Sequence, residues 1–183
     1  MDRWARVSVL TPRRAVNLLQ LSVSYRTAKR SGQPQMPPNV MPTSLSIEPT
    51  TSCNLRCPEC PSGLRSFTRP TGMLNVDHAC RWIDELAPWL TYVNLYFQGE
   101  PLLHPKLDQL IAQCHRHGIY SSTSTNAHHL TEAKCHALID AGLSRLIVSI
   151  DGLTQETYAS YRVGGTLTKV MEGTRNMVEA KRQ

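Results

Sequence analysis

At 183 residues, 40% of them apolar and 19% charged, the chain has enough material for one sizeable core and reads as a globular domain rather than a disordered one. The net charge of +6 comes from scattered Lys and Arg, adjacent near the start only at Arg13-Arg14 and Lys29-Arg30, with no basic stripe interleaved with aromatics, so no nucleic-acid partner is expected. No apolar run reaches the roughly 18 residues of a membrane span and no signal peptide is evident, which sets the expectation of a cytoplasmic protein without a transmembrane segment.

Residues 1–30 read as a basic helical segment with Val16, Leu19 and Val23 at helical spacing and Leu18 and Leu21 widening the apolar face. Such a helix can lie on a membrane surface or pack on the outside of a domain. Residues 31–43 carry four prolines and read as a linker, so residues 1–43 form one unit and residues 44–183 the core. Residues 44–49 (SLSIEP) alternate like a strand. A helix follows over 77–87, with Ala79, Trp82, Ile83 and Leu86 inward and Pro88 at its end. A strand at 92–97 (YVNLYF) precedes a helix at 106–117, with Leu107, Leu110, Ile111 and Cys114 inward and Gly118 ending it. Next come a strand at 119–124 and a helix at 131–141, capped by Thr131 and ended by Gly142. The strand 146–150 (LIVSI) is followed by helical patterns from Gln155 and from Lys169.

Four strand-then-helix units predict a parallel sheet with helices outside, curled into a barrel or open and doubly wound. In either architecture, sites lie at the C-terminal strand ends. The chemistry-bearing residues fall there: the loop 51–73, then Gly99-Glu100-Pro101, then Ser124-Thr125-Asn126, then Asp151-Gly152.

Three of the six cysteines fall within eight residues: Cys53, Cys57 and Cys60, spaced C-x3-C-x2-C. Clustered thiols in a reducing compartment point to metal. A closed zinc site and a ferredoxin cubane both need four protein ligands, and the local count stops at three. Three thiolates on a cubane leave one iron open to a small molecule. A zinc knuckle completed by His78 or Cys80, and a plain iron–sulfur electron carrier, are the alternatives. Cys80, Cys114 and Cys135 fall on helices and read as buried structural thiols, and His104, His128 and His129 as surface histidines.

The cysteine run resembles the cluster motif of the radical SAM superfamily, which follows the first strand of a partial (β/α)6 barrel. The resemblance covers residues 44–183 and is nearest to members carrying a C-terminal SPASM-type auxiliary-cluster domain. It implies a [4Fe–4S] cluster on Cys53, Cys57 and Cys60, whose open iron is chelated by S-adenosylmethionine (SAM). One-electron cleavage of a C–S bond then gives methionine and a 5′-deoxyadenosyl radical, which abstracts hydrogen from a substrate. A flavodoxin or ferredoxin as electron donor and a peptide or protein substrate are implied as partners. The family's aromatic residue before the third cysteine is Glu59 in this chain.

Further segments carry the resemblance. Gly99-Glu100-Pro101 is similar to the family's GGE motif, where backbone and carboxylate receive the methionine ammonium. Ser124-Thr125-Asn126 is similar to its S-T-N-G segment, with Ala127 in place of the glycine. Ser149 matches the serine of an SLDG-like segment near the cosubstrate's ribose or carboxylate, and Arg162 an arginine that pairs with the methionine carboxylate. With four βα units where the family has six, the chain reads as an N-terminal fragment, truncated inside its fourth helix.

Overall fold

A computed structural model describes residues 8–33 and 40–183. In chain order it contains α1 (Pro12–Ser31), β1 (Ser44–Ser46), the short α2 (Pro61–Leu64), α3 (Val76–Leu86), β2 (Tyr92–Asn94), a 3-10 turn (Pro101–Leu103), α4 (Leu107–Arg116), β3 (Tyr120–Thr125), α5 (Glu132–Asp140), β4 (Arg145–Val148), α6 (Gln155–Tyr161) and α7 (Leu167–Ala180). The strands are parallel and ordered β1-β2-β3-β4. The order never reverses. A doubly wound sheet has a switch point where it does, so the sequential order selects the barrel-type alternative, here as four strands in an unclosed sheet.

Alternation along the strands divides the sheet into two faces. Leu45, Val93, Leu95, Leu146 and Val148 join the core, packing with Val76, Ala79 and Ile83 of α3, Leu107, Leu110, Ile111 and Cys114 of α4, Cys135 and Leu138 of α5, and Val170 of α7. Helix starts are fixed by side-chain caps: Asn75 accepts from His78 N, and Thr131 from Lys134 N. Gly118 and Gly142 take the left-handed conformation just past the ends of α4 and α5. The buried stripe of α3 runs through Val76, Ala79 and Ile83. Trp82, expected inward, lies well off that stripe and is exposed. Cys114 and Cys135 are fully buried, as expected, whereas Cys80 is only partly so.

The α1 helix departs most from expectation. Its apolar residues Val16, Leu19 and Val23 face solvent, and it docks through Arg14 and Asn17 instead. The Arg14 guanidinium donates to Val9 O (2.7 Å), Ala87 O (2.9 Å), His117 O (2.8 Å) and Gly118 O (2.9 Å). Three of these carbonyls lie at the C-terminal ends of α3 and α4, where helices leave acceptors unpaired and present negative partial charge. Asn17 exchanges two 2.9 Å bonds with the Met41 backbone. The helix therefore sits at the helix C-terminal ends, away from the strand C-termini. Residues 1–7 and 34–39, parts of the expected helical segment and linker, lie outside the described residues. Among the described residues no helix is long and apolar enough to cross a membrane.

Candidate active site

The loop after β1 folds back on itself. Thr50 bridges Met73, and the Thr51 hydroxyl accepts from Gly72 N at 2.9 Å. Within it α2 packs hard on the second cysteine: a Cβ on Gly63 would stand 2.4 Å from Cys57 O and 2.6 Å from Cys57 N, so only glycine fits. The returning part of this loop is fastened by Glu48, which accepts from Gln98 N (3.1 Å) and pairs with Arg69 (2.7 Å).

The turn after β2 meets this loop at Gly99. Its φ of +75° is a left-handed value, and an added Cβ would lie 2.2 Å from Thr50 O. Glycine is demanded twice over, by conformation and by space. Gly99 N donates to Ser62 Oγ (2.8 Å) and Glu100 N to Ser52 O (2.8 Å). The Glu100 carboxylate is buried and accepts three bonds: from Thr125 Oγ1 (2.7 Å), Asn126 N (2.8 Å) and Leu102 N (3.1 Å). Burial raises its pKa above the ordinary carboxylate value, and the three hydrogen bonds pull it partly back.

The end of β3 supplies Asn126, whose Nδ2 donates to Asn54 Oδ1 (2.8 Å) and lies 4.0 Å from Cys53 Sγ. Ala127, standing where the resemblance has glycine, has φ +64° and is buried. The family glycine thus answers a left-handed backbone, which alanine adopts under strain. Ser124 and Ser149, on neighbouring strand ends, have hydroxyls 3.3 Å apart. Arg162, just past α6, is held at Nε by the Asp151 carboxylate, and its Nη1 is 3.9 Å from Cys57 Sγ. Burial, the largest single influence, lowers its pKa, but the hydrogen bond to Asp151 and the nearby charges of Asp151 and Cys57 together outweigh it and the net direction is upward.

These elements enclose one cavity of about 250 Å³. Cys53, Cys57, Cys60, Gly99, Glu100, Pro101, Ser124, Thr125, Asn126, Ser149 and Arg162 all line it, Arg162 from the end of α6 and the others from the ends of four successive strands. Tyr96, Phe97, Gln98 and Tyr161 line it too and were not singled out in the sequence, although each directly adjoins a motif residue or another lining residue. All six cysteines are free thiols. Among the described residues no three Cys, His, Asp or Glu side chains converge closely enough to hold a single metal ion. Thiolates spread around one cavity suit a cubane, in which each protein ligand takes a different iron. Burial raises the Cys53 thiol above its ordinary value, with the Leu55 N–H bond acting against it.

Two of the three histidines read as surface residues are built into the structure. His104 is buried, with Nε2 3.1 Å from Leu74 O and Nδ1 accepting from Lys106 N (3.2 Å). His128 is half-buried: Nδ1 lies 3.0 Å from Asn126 O, and Nε2 accepts from Thr166 N at 2.8 Å.

Residues 47–183 match the Radical SAM superfamily. The chain is similar to the AdoMet-dependent heme synthase of Methanosarcina barkeri (32% identical over 133 residues, 72% of this chain and 38% of that protein). It is also similar to the PqqA peptide cyclase of Rhodopseudomonas palustris (32% over 126 residues, 68% and 32%). Streptococcus suis SuiB bound to S-adenosylmethionine shares the fold, with a TM-score of 0.65 at 17% identity over 90% of this chain and 36% of SuiB. The chain thus spans between a third and two-fifths of the length of these relatives. The extent of the family match, over the residues that carry β2 to β4 and the cysteine loop, shows that the chain belongs to the Radical SAM superfamily.

Proposed function

We propose that this chain is the cluster- and SAM-binding part of a radical SAM enzyme, with a [4Fe–4S] cluster held by Cys53, Cys57 and Cys60 and SAM bound beside it. The observation that carries this reading is the gathering of three thiols and eight polar or turn residues from four strand ends and the end of α6 around one cavity. When bound, the cluster supplies one electron that opens a C–S bond of SAM, leaving methionine and a radical that takes hydrogen from the substrate.

The residues of the chain divide the remaining work. Three acceptor positions on the Glu100 carboxylate are occupied by the protein, so it chiefly sets the Gly99–Pro101 turn, leaving one acceptor position and the turn carbonyls for the methionine ammonium. Nη2 of Arg162 is not used by Asp151 or Cys57 and suits a carboxylate. Ser124, Thr125, Asn126 and Ser149 offer hydroxyl and amide groups to the rest of the cosubstrate. A peptide or protein is the favoured substrate: one relative is a peptide cyclase, and Phe97, Ile150, Leu153 and Val163 expose apolar side chains on or beside the segments that form the cavity. A low-potential flavodoxin or ferredoxin in the cytoplasm would deliver the electron, and a C-terminal SPASM-type domain would extend the core.

Anaerobic reconstitution with iron and sulfide tests the reading. About four irons per chain, and a reduced EPR signal that changes on adding SAM, are expected. Each Cys→Ala replacement at 53, 57 or 60 should abolish most of the uptake. Tight zinc with no iron, or a cluster indifferent to SAM, would overturn it in favour of a zinc module or an electron carrier.

A further inference from the structure

Arg162 touches a cysteine as well as facing the cavity. Its Nη1 lies 3.9 Å from Cys57 Sγ, and Asp151 fixes its Nε. The same segment is latched to the cysteine loop a second time, because Arg56 N donates to Val163 O at 2.9 Å. A backbone bond and a guanidinium contact therefore flank Cys57 together. The three sulfurs are not treated alike. Cys53 Sγ faces neutral donors, Leu55 N at 3.4 Å and Asn126 Nδ2 at 4.0 Å. Cys60 Sγ is 3.4 Å from the neutral amide of Gln98. Among the described residues, only Cys57 of the three meets a cation. Cys57 is 5% exposed and the Arg162 side chain 19%, so water screens this pair weakly.

Resting on the reading of these cysteines as cluster ligands, we propose that Arg162, oriented by Asp151, is a positioning residue that donates a charge-assisted N–H···S bond to Cys57 and thereby favours the reduced state of the centre. Adding an electron increases negative charge on the sulfurs. A donor carrying positive charge stabilises that state more than the oxidised one and raises the reduction potential. The carboxylate of Asp151 offsets part of the field, but it occupies Nε and leaves Nη1 turned to the sulfur. This effect is exerted before SAM arrives, which separates it from any bond Nη2 makes to the cosubstrate.

The test is an EPR-monitored redox titration of anaerobically reconstituted chain without SAM, comparing the parent with Arg162→Gln and Arg162→Lys, with iron and sulfide counted in each. Arg162→Gln should keep its iron. At a fixed potential its reduced-to-oxidised ratio should fall about tenfold, which is about 59 mV for one electron. Arg162→Lys, with the charge but not the fork, should lie between. Parent-like ratios in an iron-loaded Arg162→Gln, or a difference seen only when SAM is present, overturn the inference. So does loss of iron in both variants as complete as in Cys57→Ala, because Arg162 would then build the site rather than tune it. A parent chain that takes up no iron sinks the underlying reading instead.

Discussion

Glu100 and Ala127 show how single residues of the motif segments meet the structure. The Glu100 carboxylate only accepts, and its two backbone N–H donors reach different oxygens, so an amide in either orientation would turn its own NH2 toward one of them. Glu100→Gln is therefore expected to lower stability by about 1–3 kcal/mol and to weaken SAM binding. Thermal melts and isothermal titration of the reconstituted chain would check both, and parent-like values would show that the carboxylate is not needed for the turn. At Ala127 the left-handed backbone costs about 1–2 kcal/mol. Glycine relieves this but forfeits about 0.5–1 kcal/mol of chain entropy and a buried methyl of about 0.8 kcal/mol. These nearly cancel, which explains why alanine is tolerated at φ +64°. Ala127→Gly should change stability by less than about 1 kcal/mol, while the β-branched Ala127→Val should lose roughly 2 kcal/mol or more, as read from denaturant melts. At this scale the sequence was legible in placement: Cys53, Cys57 and Cys60 by their spacing and Gly99 by its resemblance to the GGE motif were expected at strand ends, and they line the cavity there. Asn54, Ser62 and Gln98 were not, because polar loop residues have no period and acquire partners only when loops from different strands meet.

The elements were legible in kind more than in contact. Helices α3, α4 and α5 each show a spaced apolar face and a cap or glycine stop, and the sheet follows from their alternation with strands. The α1 helix packs on the outside of the domain, one of its two expected placements, but its contacts were not legible, since Arg14 and Asn17 hold it through backbone carbonyls and no apolar pattern records a bond to a helix end. His128 is a second such joint. It ties the turn after β3 to the start of α7 by accepting from Thr166 N, which requires an unprotonated Nε2. Burial lowers its pKa below the ordinary histidine value, with the Asn126 bond acting against it. For a base whose folded pKa is depressed, the stabilisation is present above the unfolded value near 6.5 and is lost as pH falls through the folded one. Melting temperature should thus decline more steeply below pH 6.5 in the parent than in His128→Asn. Equal slopes in the two proteins would remove His128 from the joint.

At the scale of the whole molecule, the cavity joins all four βα units, since its lining comes from the loops after β1, β2 and β3 and from the segment between β4 and the end of α6. The rest of the sheet joins each strand only to its neighbours. A group bound there and absent from the unfolded chain must therefore stabilise the assembly by mass action. Binding there should also protect the loop after β1, whose Arg56 and Arg65 are exposed. Anaerobic reconstitution is expected to raise the melting temperature and to slow tryptic cleavage at Arg56 and Arg65. SAM at a hundredfold excess over its dissociation constant should add about 2.7 kcal/mol more. In Cys57→Ala the SAM increment should disappear along with the iron, because the cosubstrate would have lost its partner on the far wall of the cavity. Should SAM stabilise Cys57→Ala as much as the parent, cosubstrate and cysteines would be acting independently, and the cavity would not be the joint that couples the four units.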